Sequence, residues 1–109
     1  MATTYKVLGQ VNPSATTATT AYTVPSATET VISTITVCNA GSAPASYRIA
    51  VRPNGESLAT KHYITYDASI APQETQTLTI GITLDATDVV TVYASTANFA
   101  FNLFGSEIA

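Results

Sequence analysis

The stretch that decides the fold is Asn98-Phe-Ala-Phe-Asn-Leu-Phe104, in which Phe99, Phe101 and Leu103 alternate with Ala100, Asn102 and Phe104. A period of two sends successive side chains to opposite sides of an extended backbone, so this segment reads as a strand with one buried face. The same alternation recurs upstream. Val31, Ile35 and Val37 alternate with Thr34, Thr36 and Cys38; Tyr47, Ile49 and Val51 alternate with Arg48, Ala50 and Arg52. Leu78, Ile80 and Ile82 alternate with Thr79, Gly81 and Thr83. Threonine is about a fifth of the chain, and its branched, uncharged side chain suits a pleated surface. Only Leu58-Ala-Thr-Lys61 offers a turn of helix.

Turn chemistry punctuates these runs. Pro25-Ser26, Asn39-Ala-Gly-Ser-Ala-Pro44, Pro53-Asn54-Gly55, Asp67-Ala-Ser69, Pro72, Asp85-Ala-Thr-Asp88 and Ser95-Thr-Ala-Asn98 fall between them. Strands are therefore predicted near Tyr5–Val11, Tyr22–Val24, Thr30–Cys38, Ser46–Val51, His62–Tyr66, Thr75–Thr83, Val89–Ala94 and Asn98–Phe104. About seven to eight short strands with turns roughly every 8–12 residues describe an all-β, antiparallel β-sandwich. Residues 1–109 form a single domain. Asn12–Thr20, almost all Ser, Ala and Thr after a proline, departs from this pattern, so residues 1–20 are read either as a possible extended N-terminal arm or as a surface loop.

Composition removes several function classes. The 109 residues carry four basic and seven acidic side chains, a net charge of −3, with 46% hydrophobic residues. That hydrophobicity is too high and that charge too low for intrinsic disorder. Lys6, Arg48, Arg52 and Lys61 cannot neutralise a run of phosphates, so nucleic acid is not an expected partner. One cysteine permits no intrachain disulfide, and with one histidine it permits none of the usual zinc sets. The N-terminus lacks a basic and apolar leader, and no apolar run is long enough to cross a bilayer, so neither secretion nor a membrane is expected.

Individual residues offer little chemistry. His62 has no nucleophile motif around it and reads as structural or exposed. Cys38 lacks the helix N-terminus or cations that would lower its pKa, and reads as a small buried hydrophobe. Asp67, Asp85 and Asp88 read as turn formers before calcium ligands. Tyr63, Tyr66, Tyr93, Phe99 and Phe101 fit a core or subunit interface before a sugar-stacking platform. Arg48 and Arg52 lie on one strand face, open either to solvent or to a partner's carboxylates. No catalytic, cofactor-binding or metal-ligating residue is assigned, and no cofactor is expected.

The runs Ile35-Thr-Val-Cys-Asn39, Tyr47-Arg-Ile-Ala-Val-Arg-Pro53, Lys61-His-Tyr-Ile-Thr-Tyr-Asp67, Leu78-Thr-Ile-Gly-Ile-Thr-Leu84, Asp88-Val-Val-Thr-Val-Tyr-Ala-Ser-Thr96 and Phe101-Asn-Leu-Phe-Gly105 resemble small virion structural proteins of tailed bacteriophages, especially marine and cyanobacterial ones. The resemblance covers nearly the whole chain in overall pattern and carries no catalytic signature. It implies an immunoglobulin-like sandwich acting as a capsid decoration (cement) protein, or as a neck, tail, baseplate or fibre component. The implied location is the virion, after synthesis in the host cytoplasm. The expected partners are the major capsid protein or other virion proteins, with a homo-oligomer on the particle. Tyr5, Val11, Thr16, Thr17, Arg48 and Arg52 are the expected interface residues, and Phe99, Phe101 and Phe104 are expected in or beside the core. A carbohydrate-binding module is the alternative from another class, and a calcium-dependent adhesion domain using Asp67, Asp85 and Asp88 is a further one.

Overall fold

The computed structural model describes residues 2–109. Among these residues nine strands form: β1 (Thr3–Val11), β2 (Thr19–Thr23), β3 (Glu29–Asn39), β4 (Ala45–Arg52), β5 (Tyr63–Ile70), β6 (Thr75–Leu78), β7 (Ile82–Leu84), β8 (Val89–Ala94) and β9 (Phe99–Ile108). Short 3-10 turns at Pro53–Gly55 and Thr60–His62 lie between β4 and β5. The first sheet runs β1-β9-β3-β6, with β7 also pairing with β3; the second runs β2-β8-β4-β5. Every pairing is antiparallel.

The antiparallel sandwich read from the alternation is the one that forms. Its strand order is not the immunoglobulin-like one implied by the resemblance. An immunoglobulin sheet sets the first strand beside the second; here the first strand lies beside the last. The pairs β1·β9, β2·β8, β3·β6/β7 and β4·β5 nest like the two halves of one long ribbon rolled into two sheets. With β6 and β7 counted as one broken strand, this is the eight-stranded order of a jelly roll. The cause of the difference is physical: a period of two specifies which face a side chain takes, and is silent on which strand lies alongside.

The core lies between the inner faces. Ile32, Ile35, Val37, Phe99, Phe101 and Leu103 from the first sheet meet Tyr22, Tyr47, Ile49, Val90, Val92 and Ala94 from the second, all buried. The Tyr47 ring stands 6.1 Å from Phe101 and 6.2 Å from Phe99, within the range of favourable tilted and edge-on aromatic contacts. The Tyr47 hydroxyl donates across the sandwich to Gln76 Oε1 on β6 at 2.8 Å. Asn39, fully buried at the end of β3, donates to the carbonyls of Ala43 and Ile70 and accepts from the Gly41 amide, fixing the β3–β4 loop.

Two expectations change at one level of the first sheet. Val31 was expected in phase with Ile35 and Val37, but Ile32 is the buried residue and Val31 faces outward. The extra residue is Ser33, which bulges β3 between Ile32 and Thr34 against β9. One inserted residue reverses the faces on either side of it. The predicted strand Thr75–Thr83 accordingly divides: β6 pairs with Ile35–Cys38, β7 pairs with Thr30–Ile32, and the break lies opposite the bulge. Gly81 takes φ +63° in that break and Ile80 turns out to solvent.

The segment read as a possible arm is folded against the body, apart from residue 1, which lies outside the described residues. β1 pairs with β9 from Thr3 to Val11. Beyond it, Pro13 is buried, the Asn12 side chain donates to the carbonyls of Ala97 and Phe99, and the Thr16 amide donates to the Ala94 carbonyl.

Candidate functional site

The alternation that buries one face of each strand exposes the other, and the two outer faces of the sandwich differ in chemistry. On the first sheet, register places Tyr5, Ser106 and Val31 in one row across β1, β9 and β3. Val7, Phe104 and Thr34 form the next row. The small Ser106 between larger neighbours leaves a shallow depression of about 510 Å³, lined by Tyr5, Val7, Val31, Ser33 and Phe104 among others. Tyr5 is 84% exposed and Val7 48%. Among the described residues no carboxylate lines this depression, and the one charged side chain there, Lys6, reaches Glu107 at 3.1 Å. An exposed apolar surface rimmed by hydroxyl groups is the usual chemistry of a protein contact.

The outer face of the second sheet is polar and internally satisfied. The Arg48 guanidinium lies 4.2 Å from the Tyr66 ring centre and 4.1 Å from that of Tyr93. Its Nε donates to Asp67 Oδ1 at 2.6 Å, and this pairing raises the Arg48 pKa further, so the cation is permanent. Tyr63 meets Tyr66 edge-on at 4.9 Å. Arg52 donates from Nε to Thr91 Oγ1 and from Nη1 to the Glu56 carbonyl, tying the segment after β4 to the sheet. His62 is buried in the same segment. Its Nδ1 accepts from the Ala59 amide at 3.0 Å, which leaves the proton on Nε2, 3.1 Å from Glu56 Oε1. Both ring nitrogens thus hold the fold of this loop, so of the two roles read from the sequence, structural or exposed, His62 takes the structural one.

The residues singled out from sequence are therefore dispersed. Tyr5 belongs to the apolar face of the first sheet. Val11 packs against the core, whereas Thr16 and Thr17 lie exposed in the turn between β1 and β2. Arg48 and Arg52 lie on the outer face of the second sheet. Val7, Val31 and Phe104, which complete the surface around Tyr5, were not singled out from the sequence as interface residues. Their signal was the outward phase of each strand, hidden for Val31 by the bulge at Ser33. Phe104, expected in or beside the core, is part of the outer face and only half-buried.

No known protein family, curated protein or solved structure matches this chain. The surfaces must be read on their own chemistry.

The remaining candidates separate in space. Phe99 and Phe101 are in the core, and the other three proposed stacking rings surround or adjoin Arg48. Asp88 accepts from the amides of Asn54 and Asp85, Asp85 accepts from the Ala86 amide, and Asp67 holds Arg48. Among the described residues, no three His, Cys, Asp or Glu side chains gather as a metal site requires. Cys38, read as buried, is half-buried on the outward phase of β3, in register with Ala100 and Thr75. No helix among the described residues is long and apolar enough to cross a membrane.

One polar network bridges the sheets at the corner nearest the apolar face. The Tyr22 hydroxyl on β2 bonds Thr30 Oγ1 at 2.8 Å and donates to Glu107 Oε2 at 2.5 Å, while Lys6 holds the other carboxylate oxygen. The Tyr22 hydroxyl, with Lys6 beside it, keeps the Glu107 carboxyl below its usual 4.5. Burial first, and donation to Glu107 second, push Tyr22 from 10.0 up to about 12. A depressed carboxyl stabilises the fold above its ordinary pKa and ceases to do so as pH falls through the lowered value. A raised phenol stabilises below its ordinary pKa and loses this as pH climbs through the raised one. The melting temperature is expected to fall below about pH 4.5 and again between pH 10.0 and about 12. Tyr22→Phe should cost about 1.5 kcal/mol at neutral pH and flatten the alkaline limb. An alkaline limb of full height in Tyr22→Phe would show that the phenol is not its source.

Proposed function

We propose that this chain is a non-enzymatic virion structural protein, a capsid decoration (cement) protein that binds an assembled particle by protein–protein contacts. The observation that carries the reading is the outer face of the first sheet: Tyr5, Val7, Val31 and Phe104 around a depression with no carboxylate in its lining. Docking such a face desolvates few charges, so its apolar area is not offset by unpaired ions. Many weak copies on one shell would hold through multiplicity. The resemblance to tailed-phage virion proteins directs this contact chemistry to a particle, with the major capsid protein as the first partner. The jelly-roll order is compatible with that role, since viral capsid domains use it, although lectins use it too and a fold alone assigns no function. A neck, tail or baseplate position is the second placement, because the same surface would serve there.

The test is electron microscopy of particles from the encoding phage with this gene removed. Capsids that lose surface density and rupture more readily support decoration. Intact capsids with missing neck or tail density support the second placement. Particles unchanged in both respects would overturn the reading.

A further inference from the structure

The two sheets have four edges, and these are not equally protected against pairing with another chain. Unpaired edges are usually blunted by shortness, bulges or breaks. The edge made by β6 and β7 is broken at Gly81. β5 is distorted by register shifts against β4 and by Asp67 at φ +53°. β2 has five residues, with a shift at Ala21. β1 differs. It has nine residues and no proline, pairs only with β9 among the described residues, and runs regularly from Thr3 to Val7 before its single shift at Leu8.

We propose that the free edge of β1 pairs antiparallel with β1 of a second copy, about a two-fold axis, joining the two first sheets into one. An antiparallel edge is its own complement under two-fold symmetry and needs no second kind of partner. Charge favours a like copy here. Each chain carries −3 overall, yet the only charge on β1 is Lys6, already paired with its own Glu107. Two copies therefore meet at this edge without opposing free like charges. Pairing also brings the exposed Tyr5 and Val7 of each copy into one apolar stripe.

The contact is small. Nine residues give an edge about 30 Å long. With two exposed apolar side chains per copy, the buried area stays below roughly 1,200 Å², the weak and transient class. The dimer is therefore concentration-dependent, forming between about 10 μM and 1 mM. It concerns the free chain in solution and stands or falls apart from the virion reading.

Sedimentation equilibrium of the full chain over that range, with amide hydrogen exchange at both ends of it, tests the proposal. Dimerisation is expected, with added protection of amides within Thr3–Val7 at high concentration. Val7→Lys should weaken association at least about tenfold by setting like charges along the edge. Val31→Lys, two strands from that edge, should leave it unchanged. A monomer throughout the range would overturn the proposal. So would a dimer that leaves the β1 amides unprotected, because it would form by stacking of faces.

Discussion

Replacing Phe101 by alanine is expected to remove about 3–5 kcal/mol of stability, the cost of a large cavity at a fully buried aromatic. The site has little room to collapse. Phe101 belongs to β9, which is paired on both sides, with Val11 of β1 and Val37 of β3 as its register partners. Its ring is held against Tyr47 of the opposite sheet and Phe99 of its own strand. Closing the hole would need both sheets to approach, and the Tyr47–Gln76 bond spanning them resists that. Small domains hold only about 5–15 kcal/mol in total. Phe101→Ala should therefore unfold at a much lower urea midpoint, or fail to fold at physiological temperature. Phe104→Ala, on the outer face of the same strand, is the control and should cost less than half as much. Equal losses for the two would mean that the inner and outer faces of β9 have been wrongly assigned.

Gly105→Ala is expected to cost about 3 kcal/mol, the upper part of the range for overpacking. Its methyl group would collide with the Val31 carbonyl oxygen and crowd the Ile32 backbone. These are backbone atoms, so no rotamer change can make room. The glycine permits the close approach of β9 to β3 at the Ser33 bulge, where Ser33 Oγ donates to the Phe104 carbonyl. Because the bulge decides that Ile32 faces inward and Val31 outward, forcing the strands apart should also disturb the apolar face. Urea melts give the stability change, and methyl chemical shifts of Val31 and Ile32 report the local disturbance. A Gly105→Ala variant as stable as the parent would show that β3 and β9 do not approach so closely.

These two sites mark what can and cannot be read from residue order. The inner faces of β4 and β9 were legible because nothing interrupts their alternation: Tyr47 and Ile49, and Phe99, Phe101 and Leu103, are all buried. The phase of β3 was not legible. A serine that bulges looks like a serine that alternates, and only its pairing with β9 distinguishes them. The break between β6 and β7 has the same origin, since Leu78, Ile80 and Ile82 keep a strand's period through a segment that turns at Gly81. Strand order lies further out of reach, because it depends on contacts between residues as distant as Thr3 and Ile108. Of the proposed apolar face, only Tyr5 was singled out from the sequence as an interface residue. Val7 and Phe104 required the register of β1 with β9, and Val31 required the bulge.

The arginines illustrate a different limit. Two cations alternating on one strand were open either to solvent or to a partner's carboxylates; in the fold Arg48 is held by Asp67 and two tyrosine rings. Arg52 is satisfied by Thr91 and the carbonyls of Gly55 and Glu56. Charge on an exposed phase does not reveal whether the chain itself supplies the counterpart.

The most direct measurement of the central claim is add-back: purified chain is titrated onto particles grown without its gene, and the bound fraction is read by co-sedimentation. Saturable attachment is expected, weakened about tenfold or more in Val31→Lys by a charge in the apolar face, while an Arg48→Gln chain, altered on the opposite face, attaches as the parent does. Loss of attachment in Arg48→Gln with full attachment in Val31→Lys, both chains remaining folded, would contradict it.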